Sequence, residues 1–278
     1  MQLIYNGNLI DANEPYLLHK NRSFRYGDGI FESMLMFHSE ISLLPFHIQR
    51  MQLGAQVLEL EFPQALSLNN LLIHLARLQE ANQLTNARIR IFLFREGDGF
   101  YAPQINKAGY IIETESIPNN QYEWNEHGLA IGIYDEIQKP VNLLSNIKTC
   151  NALLYVKAGL LKSKAGFDEC LILNTRQKIC ESISSNIFWI KDGIIYTPSA
   201  LTGCILGVMR LHILNYLKAN QMKFEECEAN IEEIWNAEEV FVSGATKGIH
   251  WVKSLTQGAR QKQFISAQSS KLFQSLYS

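Results

Sequence analysis

The sequence is poor in cysteine, and the few it has are badly spaced for cross-linking. Cys150, Cys170, Cys180, Cys204 and Cys227 are odd in number, and no two of them stand at C-x-x-C spacing. That pattern argues against a disulfide framework or a zinc site and suits reduced thiols in a cytoplasmic protein. There is no excess of charge of either sign: 25 basic and 27 acidic residues leave a formal net charge of -2. Nothing in that balance points to nucleic acid or an anionic membrane as a partner. No uninterrupted apolar run approaches the roughly 20 residues that a bilayer span needs. The opening "MQLIYNGNLID" has no basic segment leading into a long apolar stretch, so it is expected to form a strand and a turn, not a signal peptide. His38, His47 and His74 have no partners at ligand spacing, so no metal is expected. Repeats and low-complexity tracts are also missing.

What is present is ordinary globular material. The chain has 278 residues, 47% hydrophobic and 19% charged, enough for one large or two smaller domains with a sizeable core. "PFHIQRMQLGAQVLEL" (45–60) and "SLNNLLIHLARLQEAN" (67–82) carry apolar residues at helical spacing. "ARIRIFLF" (87–94) and "GYIIETE" (109–115) read as strands, with the Gly-rich turn "REGDGFYAP" between them. Residues 1–117 therefore read as a small α/β domain. The polar stretch within 118–127 reads as a linker, and 128–278 as a larger domain. In that larger part "NIFWIKDGIIYTP" (186–198) is a hairpin signal, because Asp192-Gly193 is the favoured type I′ pair. Helices are expected at about 150–164, 206–220 and 266–277. Many hairpins with few βαβ units predict an α+β fold, not a doubly wound sheet.

Several segments could carry chemistry. "FRYGDGIFES" (24–33) reads locally as a tight Gly-Asp-Gly turn feeding a strand, with Tyr26, Ile30, Phe31 and Met34 as buried strand material. Lys148 stands among Leu143, Leu144 and Ile147. It either snorkels out at a helix start or, desolvated, is the kind of lysine that Schiff-base chemistry uses. Glu181 ends a strand before three serines and Asn186, which is either a solvated turn or the polar floor of a pocket. Gly203 and Gly207 lie at a helix start, where free N–H groups and the helix dipole suit a phosphate. "VSGATKG" (242–248) offers a second small-residue cradle, and Arg50 lies on an amphipathic helix.

Taken in order, "YGDGIFES", "HIQRM", "IKTCN", "ESISSNIF" and "GVMR" closely resemble class IV, or fold-type IV, pyridoxal-phosphate enzymes. That family includes branched-chain and D-amino-acid aminotransferases and aminodeoxychorismate lyase. The resemblance runs from about Tyr5 to Val252. It implies a two-domain fold whose larger domain has a β-barrel-like core, with pyridoxal 5'-phosphate as the cofactor. It further implies Lys148 as the Schiff-base lysine and proton shuttle, Glu181 as the partner of the pyridine nitrogen, and Arg50 as a phosphate ligand. Gly207, Val208 and Met209 would give backbone donors to the phosphate, with Ala245 and Thr246 as the second phosphate loop. Tyr26, Phe31 and Arg95 would shape the substrate side, as would the strand holding Glu32.

The resemblance implies an amine or amino-acid substrate and a site at the domain junction, completed by a loop from the partner subunit of a homodimer. Asn151, three positions after Lys148, matches the D-amino-acid aminotransferases and the lyases more than the branched-chain enzymes. Trp251 stands where the aminotransferases commonly have proline, and the "REGDGFYAP" loop lacks the arginine that lyases often carry there. Amino transfer is the expected reaction. The alternative is lysis of 4-amino-4-deoxychorismate to pyruvate and 4-aminobenzoate.

Overall fold

A computed structural model describes residues 1–277. The chain divides into two compact units. The first is Met1–Gln121 with Ile147–Asn151, and the second is Tyr122–Asn146 with Ala152–Ser278. Ser278 lies outside the described residues.

The first unit contains, in chain order, β1 (Gln2–Tyr5), β2 (Asn8–Asp11), α1 (Arg22–Tyr26), β3 (Gly29–Phe37), β4 (Glu40–Ile41), α2 (Leu44–Val57), α3 (Leu68–Asn82), β5 (Ala87–Arg95) and β6 (Ala108–Ser116). Its strands form one six-stranded antiparallel sheet in the order β2-β1-β6-β5-β3-β4. Ile89, Ile91 and Leu93 alternate along β5 and are buried, as the period of a strand with one covered face requires. They share a core with Met34 and Met36 of β3, Ile48 and Met51 of α2, and Leu71, Leu75 and Leu78 of α3.

The expected Gly-Asp-Gly turn is preceded by a helix that the sequence reading did not include. Asn21 caps α1 by accepting from the N–H groups of Ser23 and Phe24, and Gly27 ends it at φ 67°. Five residues are too few to show helical periodicity, so only the capping chemistry marks this helix. Tyr26 accordingly belongs to α1, half-buried, and not to the buried strand.

The second unit contains β7 (Leu129–Lys139), α4 (Leu153–Ala165), β8 (Glu169–Asn174), β9 (Ile179–Ser182), β10 (Asn186–Lys191), β11 (Ile194–Pro198), α5 (Val208–Ala219), β12 (Phe224–Cys227), α6 (Ile231–Asn236), β13 (Glu239–Gly244), β14 (Gly248–Gln257), β15 (Arg260–Gln263) and α7 (Ala267–Tyr277). Its nine strands form one curled, mixed sheet in the order β12-β11-β10-β13-β14-β7-β8-β9, with β15 beside β14. The β7–β8 and β7–β14 pairs are parallel, while β8–β9, β10–β11, β10–β13 and β13–β14 are antiparallel. Asp192 and Gly193 both have positive φ, 52° and 71°, as the expected type I′ turn demands. Trp189, Ile187, Val240, Val242 and Leu255 lie in one buried cluster on this sheet.

Candidate active site

In the first unit the segment around Lys148 is fixed to β3. Phe31 N–H donates to the Lys148 carbonyl at 3.0 Å, and Cys150 N–H donates to the Gly29 carbonyl at 2.8 Å. These are strand-like bonds, which is why residues 147–151 group with this unit although the chain on either side does not. They place Lys148 Nζ 4.2 Å from the centroid of the Phe31 ring, over its face.

Both glycines of the Gly27-Asp28-Gly29 turn serve this arrangement. A Cβ on Gly27 would lie 3.2 Å from the Asn151 backbone nitrogen, and one on Gly29 would lie 2.7 Å from the Leu93 carbonyl oxygen. The bare backbone lets β3 approach β5 on one side and the Lys148 segment on the other.

Glu32 and Arg50 form a buried pair. Arg50 donates through Nε to Glu32 Oε1 at 2.8 Å and through Nη2 to Oε2 at 2.6 Å, while His47 Nδ1 donates to Oε2 at 2.7 Å. Burial pushes the Glu32 carboxyl up, but the Arg50 charge and the His47 and Arg50 hydrogen bonds outweigh it and hold the group at about 2. Glu32 therefore ties α2 to β3 and orients the Arg50 guanidinium. Glu32 lies on the strand expected to shape the substrate side, and its carboxylate is turned to Arg50 and His47 of α2.

Arg95 is also placed differently from expectation. It is 5% exposed. Its Nε donates to Asp28 Oδ2, Nη1 to Glu59 O and Asn106 Oδ1, and Nη2 to Leu58 O. Arg22 donates to the same Asp28 oxygen at 2.7 Å and to the carbonyls of Phe100 and Tyr101. Arg22 thus pins the "REGDGFYAP" loop through the Phe100 and Tyr101 carbonyls, to which the Tyr26 hydroxyl adds a bond to the Gly99 carbonyl at 3.1 Å. Arg95 instead ties the end of β5 to Asp28, to Asn106 and to the chain just after α2.

In the second unit Glu181 is a hub. Lys139 Nζ and the Tyr155 hydroxyl, at 2.6 Å, both donate to Oε1, and the Ile205 N–H donates to Oε2 at 2.8 Å. Burial, then the Glu181 charge, raises the Tyr155 hydroxyl well above its ordinary range, so it stays protonated and donates. Two irregularities in the sheet flank this carboxylate. Between register pairs β7 advances from Tyr134 to Lys139 while β8 advances only from Ile172 to Asn174. The β8–β9 ladder shifts between Ile172 and Leu173, beside the Ile172–Glu181 pair. Such bulges re-aim side chains. Lys139 and Tyr155 were not singled out from the sequence: the only signal was a lysine closing an apolar strand before Pro140.

The α5 entry and the β13–β14 turn belong to the same unit. Gly207 precedes α5 with no side-chain cap, and a Cβ there would lie 1.9 Å from Asn186 Oδ1. Asn186 in turn donates to the Ile205 carbonyl at 2.7 Å. Val208 and Met209 form the first turn of α5. Ala245 and Thr246 lie in the β13–β14 turn, where the Ala245 carbonyl accepts from the Tyr122 hydroxyl at 2.7 Å. The hydroxyls of Ser185 and Ser243 are buried without a hydrogen-bond partner among the described residues.

The profile of the family described as amino-transferase class IV matches residues 29–255. The chain belongs to that family. This class IV protein is 24% identical over 238 residues to an aminodeoxychorismate lyase of Vibrio harveyi, covering 85% of this chain and 86% of that one. It is 25% identical over 262 residues to a D-alanine aminotransferase of Listeria innocua, covering 88% and 84%. The T.th. branched-chain amino acid aminotransferase, solved with pyridoxamine 5'-phosphate, superposes with a TM-score of 0.84 at 19% identity, covering 99% of this chain and 92% of that one. The fold is fold-type IV, and the class IV family depends on pyridoxal phosphate.

The residues of the second unit fit that cofactor. A carboxylate has about four acceptor positions, and three protein donors reach Glu181, which leaves one for a ring N–H. The uncapped N-terminus of α5 presents N–H donors to an anion. The orphaned Ser185 and Ser243 hydroxyls are the sort of buried polar atoms that a bound phosphate satisfies.

Proposed function

We propose that this class IV protein is an aminotransferase, moving the amino group of an amino-acid-type donor to a 2-oxo acid. The observation that carries the reading is the similarity over 88% of the chain to a D-alanine aminotransferase. The Lys148 ε-amino group, 4.2 Å from the Phe31 ring centroid on a segment bonded to β3, supplies the amine that either class IV reaction needs. When bound, pyridoxal phosphate supplies a carbonyl that condenses with amines and a ring that accepts the electron pair left at the substrate Cα. Lys148 Nζ would hold the cofactor before substrate enters and, once released, would take and move the proton of the substrate Cα. Glu181 keeps a proton on the ring nitrogen. The backbone of Gly207, Val208 and Met209, together with Ala245 and Thr246, binds the phosphate. Arg50, oriented by Glu32, adds a cationic ligand to it. Tyr26 and Phe31 shape the substrate side. Arg95 contributes indirectly, by holding Asp28 of the Gly-Asp-Gly turn against the end of β5.

A second reading rests on one observation, the similarity to the Vibrio harveyi lyase. On that reading Lys148 does the same proton work while pyruvate leaves 4-amino-4-deoxychorismate and 4-aminobenzoate is released.

We also propose a homodimer in the cytoplasm. Leu153, Val156 and Leu160 form an exposed apolar stripe along α4, at the spacing of one helix face. No helix among the described residues is long and apolar enough to cross a membrane.

The test is a half-reaction. The cofactor-loaded protein is mixed with L- and D-amino acids one at a time, without a 2-oxo acid, and its visible spectrum is recorded. Conversion to the pyridoxamine form establishes amino transfer and the hand of the donor. A spectrum unmoved by every amino acid, with pyruvate released from 4-amino-4-deoxychorismate, overturns it in favour of the lyase.

A further inference from the structure

Glu181 has its counter-ion within the chain. Lys139 and Glu181 side chains are 6% and 3% exposed, and they are hydrogen-bonded to each other. Lys139 Nζ also lies 5.6 Å from the centroid of the Tyr155 ring, whose hydroxyl donates to the same Oε1. A buried carboxylate with no counter-ion is strongly disfavoured and takes up a proton or disrupts its surroundings. The bulge in β7 that delivers Lys139 to Glu181 removes that problem within the protein itself.

We propose that Lys139 is the resident counter-ion of Glu181. It holds the carboxylate oriented through a buried ion pair, and its charge offsets the pull of that carboxylate on the cofactor's ring proton. Lys139 is thus a positioning residue that sets how much of the cofactor affinity comes from the ring nitrogen. The inference rests on the reading that Glu181 faces that nitrogen.

The charge count gives the sign. With Lys139 in place, a protonated ring nitrogen approaches a pair of zero net charge. Without it, the same ring approaches an uncompensated carboxylate, and the ring N–H becomes the missing counter-ion. Removing the lysine charge therefore makes the protein more dependent on the ring nitrogen.

The experiment compares binding of pyridoxal phosphate with that of 1-deaza-pyridoxal phosphate, in which carbon replaces the ring nitrogen. Both are followed by absorbance titration of the full-length apoprotein. The readout is the ratio of the two dissociation constants, which needs no turnover. In Lys139→Met, preference for the natural cofactor rises by at least about tenfold over the wild type, the scale of one charge interaction at short range in a partly screened interior. Lys139→Gln keeps an N–H donor for Glu181 without charge, so it folds where Met does not and shows the same rise. Lys139→Arg keeps the charge and leaves the ratio at the wild-type value. An unchanged ratio in Lys139→Gln, with Glu181→Gln lowering it, overturns the role of Lys139 while the Glu181 reading stands. A ratio that Glu181→Gln does not move overturns the Glu181 reading and this proposal with it.

Discussion

The Phe31 N–H donates to the Lys148 carbonyl, and the Phe31 ring lies under the Lys148 ammonium group at 4.2 Å from its centroid. One residue thus fixes both the backbone and the side chain of the other. Lys148→Met removes the amine, so borohydride reduction leaves no cofactor mass on the peptide spanning 147–151. Equal labelling of that variant would take Lys148 out of its proposed role. A cation over an aromatic face is worth about 0.5–2 kcal/mol. Phe31→Leu accordingly keeps the reducible linkage and slows turnover by roughly three- to thirtyfold.

The Glu32 cluster predicts acid sensitivity. The carboxyl is held at about 2 against an ordinary value of 4.5, so folding depresses it. Its contribution to stability is complete above about pH 4.5 and is lost as the pH falls toward about 2. Its size is on the order of 3 kcal/mol. Glu32→Gln lowers the urea midpoint at pH 7 and flattens the fall in stability over that acid window. An identical pH profile in the variant would show that the cluster does not govern acid stability.

Gly29 has no room for a side chain. A Cβ would lie 2.7 Å from the Leu93 carbonyl oxygen, and that oxygen belongs to the sheet backbone. Gly29→Ala therefore forces β3 and β5 apart and costs about 1–3 kcal/mol, in the range of overpacking. It also moves the Cys150 N–H bond to the Gly29 carbonyl, so cofactor linkage weakens along with thermal stability. A variant with the wild-type melting temperature would contradict this account.

Glu239 caps a helix from a distance. Its buried carboxylate accepts from the N–H groups of Gln268 and Ser269 at 2.7 and 3.0 Å and from the Ser269 hydroxyl at 2.8 Å, holding the N-terminus of α7. At the other end of α7 the Tyr277 hydroxyl donates to Met209 Sδ at 3.0 Å, and the Tyr277 ring packs on Tyr122, 4.7 Å between centroids. Glu239→Ala leaves three donors unsatisfied and costs about 2–4 kcal/mol. Limited proteolysis then cuts within 264–277 first, and affinity for the cofactor phosphate falls. Unaltered cleavage order would show that α7 is held by its apolar face alone.

Much of this protein was decided by the order of short segments along the chain. Helix and strand positions follow from apolar periodicity, because burial of one face enforces the period. The β10–β11 hairpin follows from Asp192-Gly193, because few residue pairs tolerate two consecutive positive φ angles. The class IV family, its cofactor and the candidate residues Lys148, Glu181 and Arg50 were legible as a series of motifs. Only the tertiary structure decided what those residues touch. Lys139 meets Glu181 through a bulge in β7 that no local pattern announces. Arg50 meets Glu32 because α2 packs on β3, and Arg95 turns inward because Asp28 offers it a carboxylate and Leu58 and Glu59, just after α2, offer it carbonyls. Residues 147–151 join the first unit through two backbone hydrogen bonds. Periodicity reports which face of an element is buried, whereas partners distant in sequence are set by register, bulges and packing, which exist only once the chain has folded.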